Sequence, residues 1–399
     1  MSEKVKILFI HHASGWGGAP INMINIINEL DKTKFDPHVL LLKDSIVKDR
    51  LEEKNIGYTV CNSFFYRKCY RYFSHSEAGK IPYYNFLVLI KVFITWLLSK
   101  YIYAPKVLKN HDFDVVHLNS FVLSDWVYPA SKQGKVIYHI QEPISKGMFG
   151  LRYNFIRTEV EKYADKIIAI SIDNKGRINL PEKTEVVYNF IDIPNTIEEK
   201  KITKSILYVG GVAKIKGIDI LIDAIPFIHK DIQLNLAGHF PNLSPLSNFK
   251  ETAYKFLYPS AYRLRYKLMT IAKLDNVNMI GSFSSIGTLL QESTLLISPF
   301  TVPHFSRPVI EAFAYGRPVI VSDVIGMDEV VDNEINGLII NKENPKALAI
   351  AINTLVNKPE LLKKMGVSGR RKAIELYSPK VNILKIENIY NELNNEKLQ

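Results

Sequence analysis

The residues best suited to chemistry lie in ISPFTVPHFSRPVIEAFAYGRPVIVSD, positions 297–323. An apolar run ends at Pro299, a loop carrying His304 and Arg307 follows, and Pro308 is placed to start a short helix. Glu311, three residues past that proline, is expected in the helix's first turn. There its carboxylate either accepts hydrogen bonds from a ligand diol or simply complements the helix macrodipole. A second segment, SILYVGGVAKIKGIDILIDA at 205–224, reads as strand, glycine pair, loop and helix. Gly210 and Gly211 would let a phosphate approach backbone N–H groups, and Lys214 and Lys216 would neutralise it. The same residue types serve packing and solubility in many strand-to-helix turns. A third glycine loop, Gly15-Trp16-Gly17-Gly18, follows the apolar run Lys6–Ile10 and precedes Pro20. His139, Gln141 and Glu142 end another apolar run, in VIYHIQEP.

Other constellations carry less. Asp112-Phe113-Asp114 has the form of a DxD metal site but directly precedes an apolar strand, so it reads as the turn into it. His11 and His12 have no ligand partner at metal-binding spacing and suit core or cleft-lining roles. Gly15-x-Gly17-x-x-Pro20 nearly matches the dinucleotide fingerprint. Pro20 replaces its third glycine, however, and the second strand ends in Lys43 rather than an acid. No Gly-x-Ser-x-Gly, Walker lysine motif or Cys/His catalytic pair is visible.

The elements that must position these residues alternate between strand and helix, twice over. Short apolar runs at Lys6–Ile10, His38–Leu42, Tyr58–Cys61, Val115–Leu118, Val136–Ile140, Lys166–Ser171 and Glu185–Tyr188 are mostly separated by helix-length segments. Such strands form a parallel sheet covered on both faces. Asp192–Lys204 breaks the pattern with Pro, Asn and clustered charge and reads as a linker. Strands at Ser205–Val209, Gln233–Ala237, Val277–Ile280, Leu295–Pro299, Pro318–Ser322 and Leu338–Ile340 follow, with a helix over about Gly217–Ile228 and a long basic helical region. With 399 residues, the expectation is an α/β chain of two doubly wound domains, 1–198 and 199–379. A cleft between strand ends would take the ligand, and the last segment, Val381–Asn395, has apolar residues at helical spacing.

Composition is that of a globular protein, 47% hydrophobic and 23% charged, which excludes disorder and low complexity. Two cysteines, Cys61 and Cys69, exclude a disulfide framework and fit a reducing compartment. The N-terminus reads as a first strand rather than a signal peptide, so a cytoplasmic protein is expected. Net charge is +11 and is concentrated. Residues 61–111 carry eight Lys/Arg against the single acid Glu77, and 249–273 carry six against Glu251. Both stretches are aromatic-rich, which suits either solvated helix faces or an anionic membrane surface. No nucleic-acid-binding signature accompanies them. Tyr83–Ala104 is apolar enough to suggest a membrane span, but it contains Lys91. Asn85, Lys91, Thr95 and Ser99 mark one expected wetter stripe, so the segment reads as an amphipathic helix.

RPVIEAFAYGRPVIVS, residues 307–322, resembles the most recognisable block of the GT-B glycosyltransferases of family 4, which are retaining and nucleotide-sugar dependent. The resemblance extends over nearly the whole chain and implies that a last helix, 380–399, packs back on the first domain. The loop at Gly17 and Gly18 looks like that family's N-terminal glycine loop, and YVGGVAKIKGIDILIDA like its phosphate-binding block. NVNMIGSFS, with Gly281, looks like its nucleobase-contacting turn, and EVVYNFID like its pre-linker Asn-x-x-Asp. The resemblance implies that Lys216, helped by Lys214, binds a donor diphosphate and that Glu311 holds the ribose hydroxyls. Backbone amides around Ser306, Arg307, Pro308 and Val309 would hold the pyrophosphate. Gly17, Gly18, Gly210 and Gly211 would make room for the donor phosphates. His139, Gln141, Glu142 and His304 become acceptor or cleft candidates, and no metal or other cofactor is implied.

Three departures stand out. The position eight before Glu311, where the family has a glutamate, is Pro303; the family's phosphate-binding Arg is replaced by Gly211; and its strand-end His aligns with Gln141. Arg307, Lys214, His304 and Glu142 are the available compensations. The expected protein is a retaining transferase moving sugar to a saccharide or lipid-linked saccharide in cell-surface polysaccharide synthesis. It would be cytoplasmic and peripheral at the inner face of an anionic membrane, with no nucleic acid partner. A catalytically inactive sugar-nucleotide or polysaccharide binder is one alternative, and a dinucleotide-dependent oxidoreductase another.

Overall fold

The structure, a computed structural model, describes residues 3–12, 15–71, 73, 86–197, 203–283 and 285–398. The chain divides into two compact units, Met1–Phe190 with Tyr377–Gln399, and Ile191–Leu376. The first unit holds strands β1 (Val5–His11), β2 (Phe35–Leu41), β3 (Tyr58–Val60), β4 (Val115–Leu118), β5 (Lys135–Ile140), β6 (Lys166–Ala169) and β7 (Thr184–Val186). They form one parallel sheet in the order β3-β2-β1-β4-β5-β6-β7. The second unit holds β8 (Ser205–Val209), β9 (Gln233–Ala237), β10 (Val277–Gly281), β11 (Leu295–Ser298), β12 (Val319–Ser322) and β13 (Gly337–Ile340). Their order, β10-β9-β8-β11-β12-β13, is again parallel throughout. In each sheet the strand order reverses beside the first strand, between β1 and β4 or between β8 and β11. At such switch points the strand carboxyl ends open onto a crevice within the unit.

Both faces of β1 are buried, which explains its unbroken apolar run. Ile7 and Phe9 pack with Met23, Ile24 and Ile27 of the helix Gly18–Glu29. The same layer receives Ile383, Ile386, Ile389, Tyr390 and Leu393 of the helix Pro379–Leu398. Their spacing of three or four residues puts them on one helix face. Leu8 and Ile10 point into the other layer, with Trp96, Trp126 and Tyr138.

Several expectations change in detail. β2 begins at Phe35, three residues before the apolar run, because Pro37 sits opposite Ile7 without ending the strand. The expected strand at Glu185–Tyr188 is the shorter Thr184–Val186. The helix expected to reach Ile228 ends at Ala224 and closes with a 3-10 turn, Ile225–Phe227. The long basic region is two helices, Asn248–Leu257 and Pro259–Ile271, broken where Tyr258 precedes Pro259 in a non-helical conformation. Asp192–Ile197 of the expected linker goes with the second unit, where the Arg370 guanidinium donates to the Pro194 carbonyl at 2.5 Å. Residues 198–202 lie outside the described residues, as do Glu77, Lys80 and residues 83–85.

The largest correction concerns the apolar helix, which runs Phe86–Leu98 and continues through a π-turn, Ser99–Tyr103, to Ala104–Leu108. Its polar stripe was expected to face water. Lys91 does, but Thr95 and Ser99 are buried, while Phe86, Leu87, Val88, Ile90, Phe93 and Ile94 are exposed. Ser99 bonds to Tyr66 and to the Asp125 carboxylate, and Trp96 donates its indole N–H to Ser124 at 3.0 Å. Periodicity reveals a stripe, but its wet side depends on partners from distant segments.

Candidate functional site

In the second unit the chain leaves β8 into Gly210 and Gly211. Gly211 takes φ +53, and a Cβ there would stand 2.5 Å from the His239 carbonyl oxygen. The turn therefore requires glycine and has no room for an arginine. The N–H groups of Gly210 and Gly211 both point at the Ala237 carbonyl, at 3.0 and 3.1 Å. That corrects the expectation that these two amides meet a phosphate, since neighbouring β9 already uses them. Lys214–Lys216 is a 3-10 turn rather than an open loop. It is clamped to the end of β11 in two ways. Gly217, at φ +77, packs so closely on the Pro299 carbonyl that a Cβ would fall 1.8 Å from its oxygen. The Thr301 N–H also donates to the Ile215 carbonyl at 3.0 Å.

This clamp brings Lys216 beside the 299–306 loop. Burial lowers the Lys216 pKa, and among the described residues no carboxylate forms an ion pair with it. His304 stacks on Phe300, with ring centroids 4.2 Å apart. Burial and the Lys216 charge push His304 down to about 4, so its imidazole is neutral at neutral pH. Lys214, by contrast, is exposed. Gly281 ends β10 at φ +76 with open space around its Cα.

The helix Arg307–Ala314 begins one residue earlier than expected, with Ser306 as its N-cap. Glu311 is thus in the second turn, and no acid occupies the first. The shift weakens the macrodipole explanation, whose effect falls off within one turn. It also puts Glu311 four residues from Arg307, whose Nε donates to Glu311 Oε1 at 2.8 Å. Burial raises the Glu311 pKa, the Arg307 charge and hydrogen bond oppose the rise, and Asp192 adds to it. Arg307 Nη1 is buried with no protein partner.

The expected row of amides is partly closed. Pro308 has no N–H, and those of Val309 and Ile310 return to the Ser306 carbonyl at 3.1 and 3.4 Å. The N–H groups of Ser306 and Arg307 remain without a backbone acceptor among the described residues. The Ser306 hydroxyl turns inward, 3.2 Å from that of Ser298. Lys216 and His304 on one side, and on the other the Ser306 and Arg307 amides at a helix N-terminus with one free guanidinium nitrogen, thus lie along the 299–307 loop, with the Glu311 carboxylate one helical turn further on. Such an arrangement accepts an anion and, beside it, a pair of hydroxyls.

In the first unit Gly17 is the N-cap of the helix Gly18–Glu29, and no atom stands within 4 Å of a Cβ built at Gly17 or Gly18. Asn119, which sequence reasoning missed, joins this end of the sheet. Its Nδ2 lies 3.1 Å from the Ala19 carbonyl and 3.2 Å from His11 Nδ1, while Gln141 donates to its Oδ1 at 3.0 Å. Its only sequence signal is its place just past β4. His11 Nε2 and Gln141 Oε1 are buried without protein partners.

Two acceptor candidates are held by hydrogen-bond partners within the first unit. His139 is buried, 2.8 Å from His117, which reaches Tyr390 of the last helix at 2.7 Å. Burial pushes His139 down to about 3. Glu142 accepts from Ser120 Oγ at 2.5 Å and the Phe121 N–H at 3.1 Å, capping the turn after β4. Asp112 and Asp114 bond to Lys6 as part of the turn into β4. No group of three or more potential metal ligands occurs among the described residues.

Two parallel sheets with these loops define a GT-B architecture, and the comparisons agree. The Glycosyltransferase Family 4 model matches residues 16–194 and the Glycosyl transferases group 1 model residues 190–372. The chain belongs to the GT-B glycosyltransferases of family 4 and is a glycosyltransferase. It is 27% identical over 310 residues to an uncharacterized glycosyltransferase of Methanocaldococcus jannaschii, covering 75% of this chain and 81% of the relative. It is 23% identical over 299 residues to N,N'-diacetylbacillosaminyl-diphospho-undecaprenol alpha-1,3-N-acetylgalactosaminyltransferase of Campylobacter jejuni, covering 70% and 77%. The crystal structure of Anabaena Alr3699/HepE in complex with UDP-glucose superposes with a TM-score of 0.74 at 20% identity, over 97% of this chain and all of that one.

Proposed function

We propose that the protein transfers a sugar, with retention, from a nucleotide-sugar donor to a saccharide or lipid-linked saccharide acceptor of a cell-surface polysaccharide. The observation that carries this reading is Lys216, a partly buried cation without a carboxylate partner among the described residues, next to His304 on the loop that leads into two amides without backbone acceptors and the helix of Glu311. A buried charge of this kind calls for an anion. The diphosphate fits there, with the ribose diol on Glu311. UDP and UDP-glucose in the Anabaena complexes support a nucleotide-sugar donor, and the undecaprenol-linked acceptor in the Campylobacter enzyme's name supports a lipid-linked one.

In the transfer the bond from sugar C1 to the diphosphate oxygen breaks, while the acceptor oxygen bonds to C1 on the same face. The acceptor's proton passes to the departing phosphate. Lys216 and the amides of Ser306 and Arg307 stabilise the charge growing on that phosphate. They supply this stabilisation without a metal, so activity should survive EDTA. The unpaired Cys61 and Cys69 support a cytoplasmic location.

Thermal-shift measurements with UDP, GDP, dTDP and NAD test the donor. Stabilisation by one nucleoside diphosphate and release of sugar from its conjugate are expected, and stabilisation by NAD alone would overturn the reading. Pro303 and the glycine at 211 favour a second reading, a non-catalytic sugar-nucleotide binder. Binding without transfer to any lipid-linked or soluble saccharide would establish it.

A further inference from the structure

The helix Phe86–Leu98 presents its apolar side to the outside of the first unit. Leu87 is 80% exposed, Phe86 68% and Ile94 49%. The surface continues through Phe93, whose ring lies 6.0 Å from that of Phe155, to Leu151, one turn earlier in the neighbouring helix and 73% exposed. Patches of this extent on a monomer usually mark an interaction surface. The exposed charges of its own stretch of chain are of one sign. Arg67, Lys68, Arg71 and Lys91 are exposed, and the described residues of 61–111 contain no carboxylate. An apolar face with a basic rim matches the chemistry of an anionic bilayer. An isologous dimer through the same face would set these cations against their own copies.

Phe86–Leu108, 23 residues, is long and apolar enough to cross a membrane, with a mean hydropathy of 1.7 over an 18-residue window. Its inner side forbids that. Lys100 Nζ pairs with Glu159 at 2.5 Å and sits among the rings of Trp96, Tyr128 and Tyr163. Ser99 and Tyr70 both bond to the buried Asp125 carboxyl, and Trp96 to Ser124. Pulling the helix into a span would leave Asp125 and Glu159 buried without these partners.

We propose that this helix is a monotopic anchor, lying in the plane of an anionic membrane with Phe86, Leu87, Ile90, Phe93 and Ile94 in the acyl boundary and Thr95, Ser99 and Lys100 held by the protein. The inference goes beyond the proposed reaction and does not depend on it.

The full chain, floated with vesicles of phosphatidylcholine and phosphatidylglycerol, should bind and should bind phosphatidylcholine alone far less. The combined Leu87→Gln, Ile90→Gln and Ile94→Gln variant should lose on the order of a hundredfold in partition. Its thermal shift with nucleoside diphosphate should stay at the wild-type value, because the altered side chains are exposed. That separate readout keeps failure of the anchor distinct from failure of the donor reading. Alkaline carbonate should strip the bound chain from the vesicles, as it does a protein lying on one leaflet. Retention of the chain after carbonate extraction would show a span and overturn the proposal. Unchanged partition of the glutamine variant would overturn it too. So would a wild-type dimer that the variant dissociates with no vesicle binding, since a second copy would then be the occupant.

Discussion

Restoring the family's arginine at position 211 should harm this protein. Gly211 has φ +53, a conformation costing an L-residue ~1–2 kcal/mol. A Cβ there would stand 2.5 Å from the His239 carbonyl oxygen and 2.8 Å from its N–H nitrogen, both backbone atoms that cannot swing aside. Forcing such a shift in a packed turn costs a further ~1–3 kcal/mol. The loss of roughly 2–5 kcal/mol should lower Tm by about 5–15 °C for a unit of this size. A new arginine–phosphate hydrogen bond would return ~1.5–3 kcal/mol only if the turn kept its shape. Gly211→Arg and Gly211→Ala should therefore lose similar stability in urea unfolding, and neither should bind nucleoside diphosphate more tightly by calorimetry. An unchanged midpoint together with tighter binding in Gly211→Arg would refute the reasoning.

Lys216→Ala should lower kcat more than it raises KM, because the diphosphate's charge grows toward the transition state; initial-rate kinetics decide it, and wild-type values would remove Lys216 from the site. Glu311→Gln should weaken donor binding by ~1.5–3 kcal/mol with the fold intact, as read by calorimetry beside circular dichroism. Burial raises the Glu311 pKa, so donor affinity should fall as acid protonates it, and this dependence should vanish in the glutamine variant. Asp125 is pushed by burial from 3.8 up to about 7, so the native state holds a proton that the unfolded chain releases between those values. Its contribution favours folding at low pH and is lost as pH rises to about 7, so Asp125→Asn should gain on the wild type across that window in urea midpoints. His11 and His139, buried and pushed down to about 4 and about 3, work oppositely, so their contribution should be lost as pH falls below 6.5.

The alternation of short apolar strands with helices made both parallel sheets readable, because a strand buried on two faces has nowhere to place polar residues. The fold class and the family followed from local sequence. Pro37 hid the start of β2, since a proline usually marks a strand's end. At the candidate site the residues were readable but their geometry was not. Nothing local showed that Gly210 and Gly211 give their amides to Ala237, or that Glu142 caps the turn at Phe121. Asn119 was missed because it takes part only through His11, Ala19 and Gln141, each far away in sequence. The orientation of the Phe86–Leu98 helix failed for the same reason, as Asp125 and Ser124 lie a full βα unit downstream.

The return of Pro379–Leu398 to the first unit has a consequence for synthesis. Ile383, Ile386, Ile389 and Tyr390 complete the layer over β1, and Tyr390 closes the polar chain through His117 and His139. All of them leave the ribosome after every residue of the second unit. The unit made first is therefore the one finished last. Throughout translation Ile7, Phe9 and Phe35 await a covering helix that is made last of all. A chain cut after residue 376 would keep every residue of the second unit but leave the first incomplete, with its apolar sheet face open to chaperones and to aggregation.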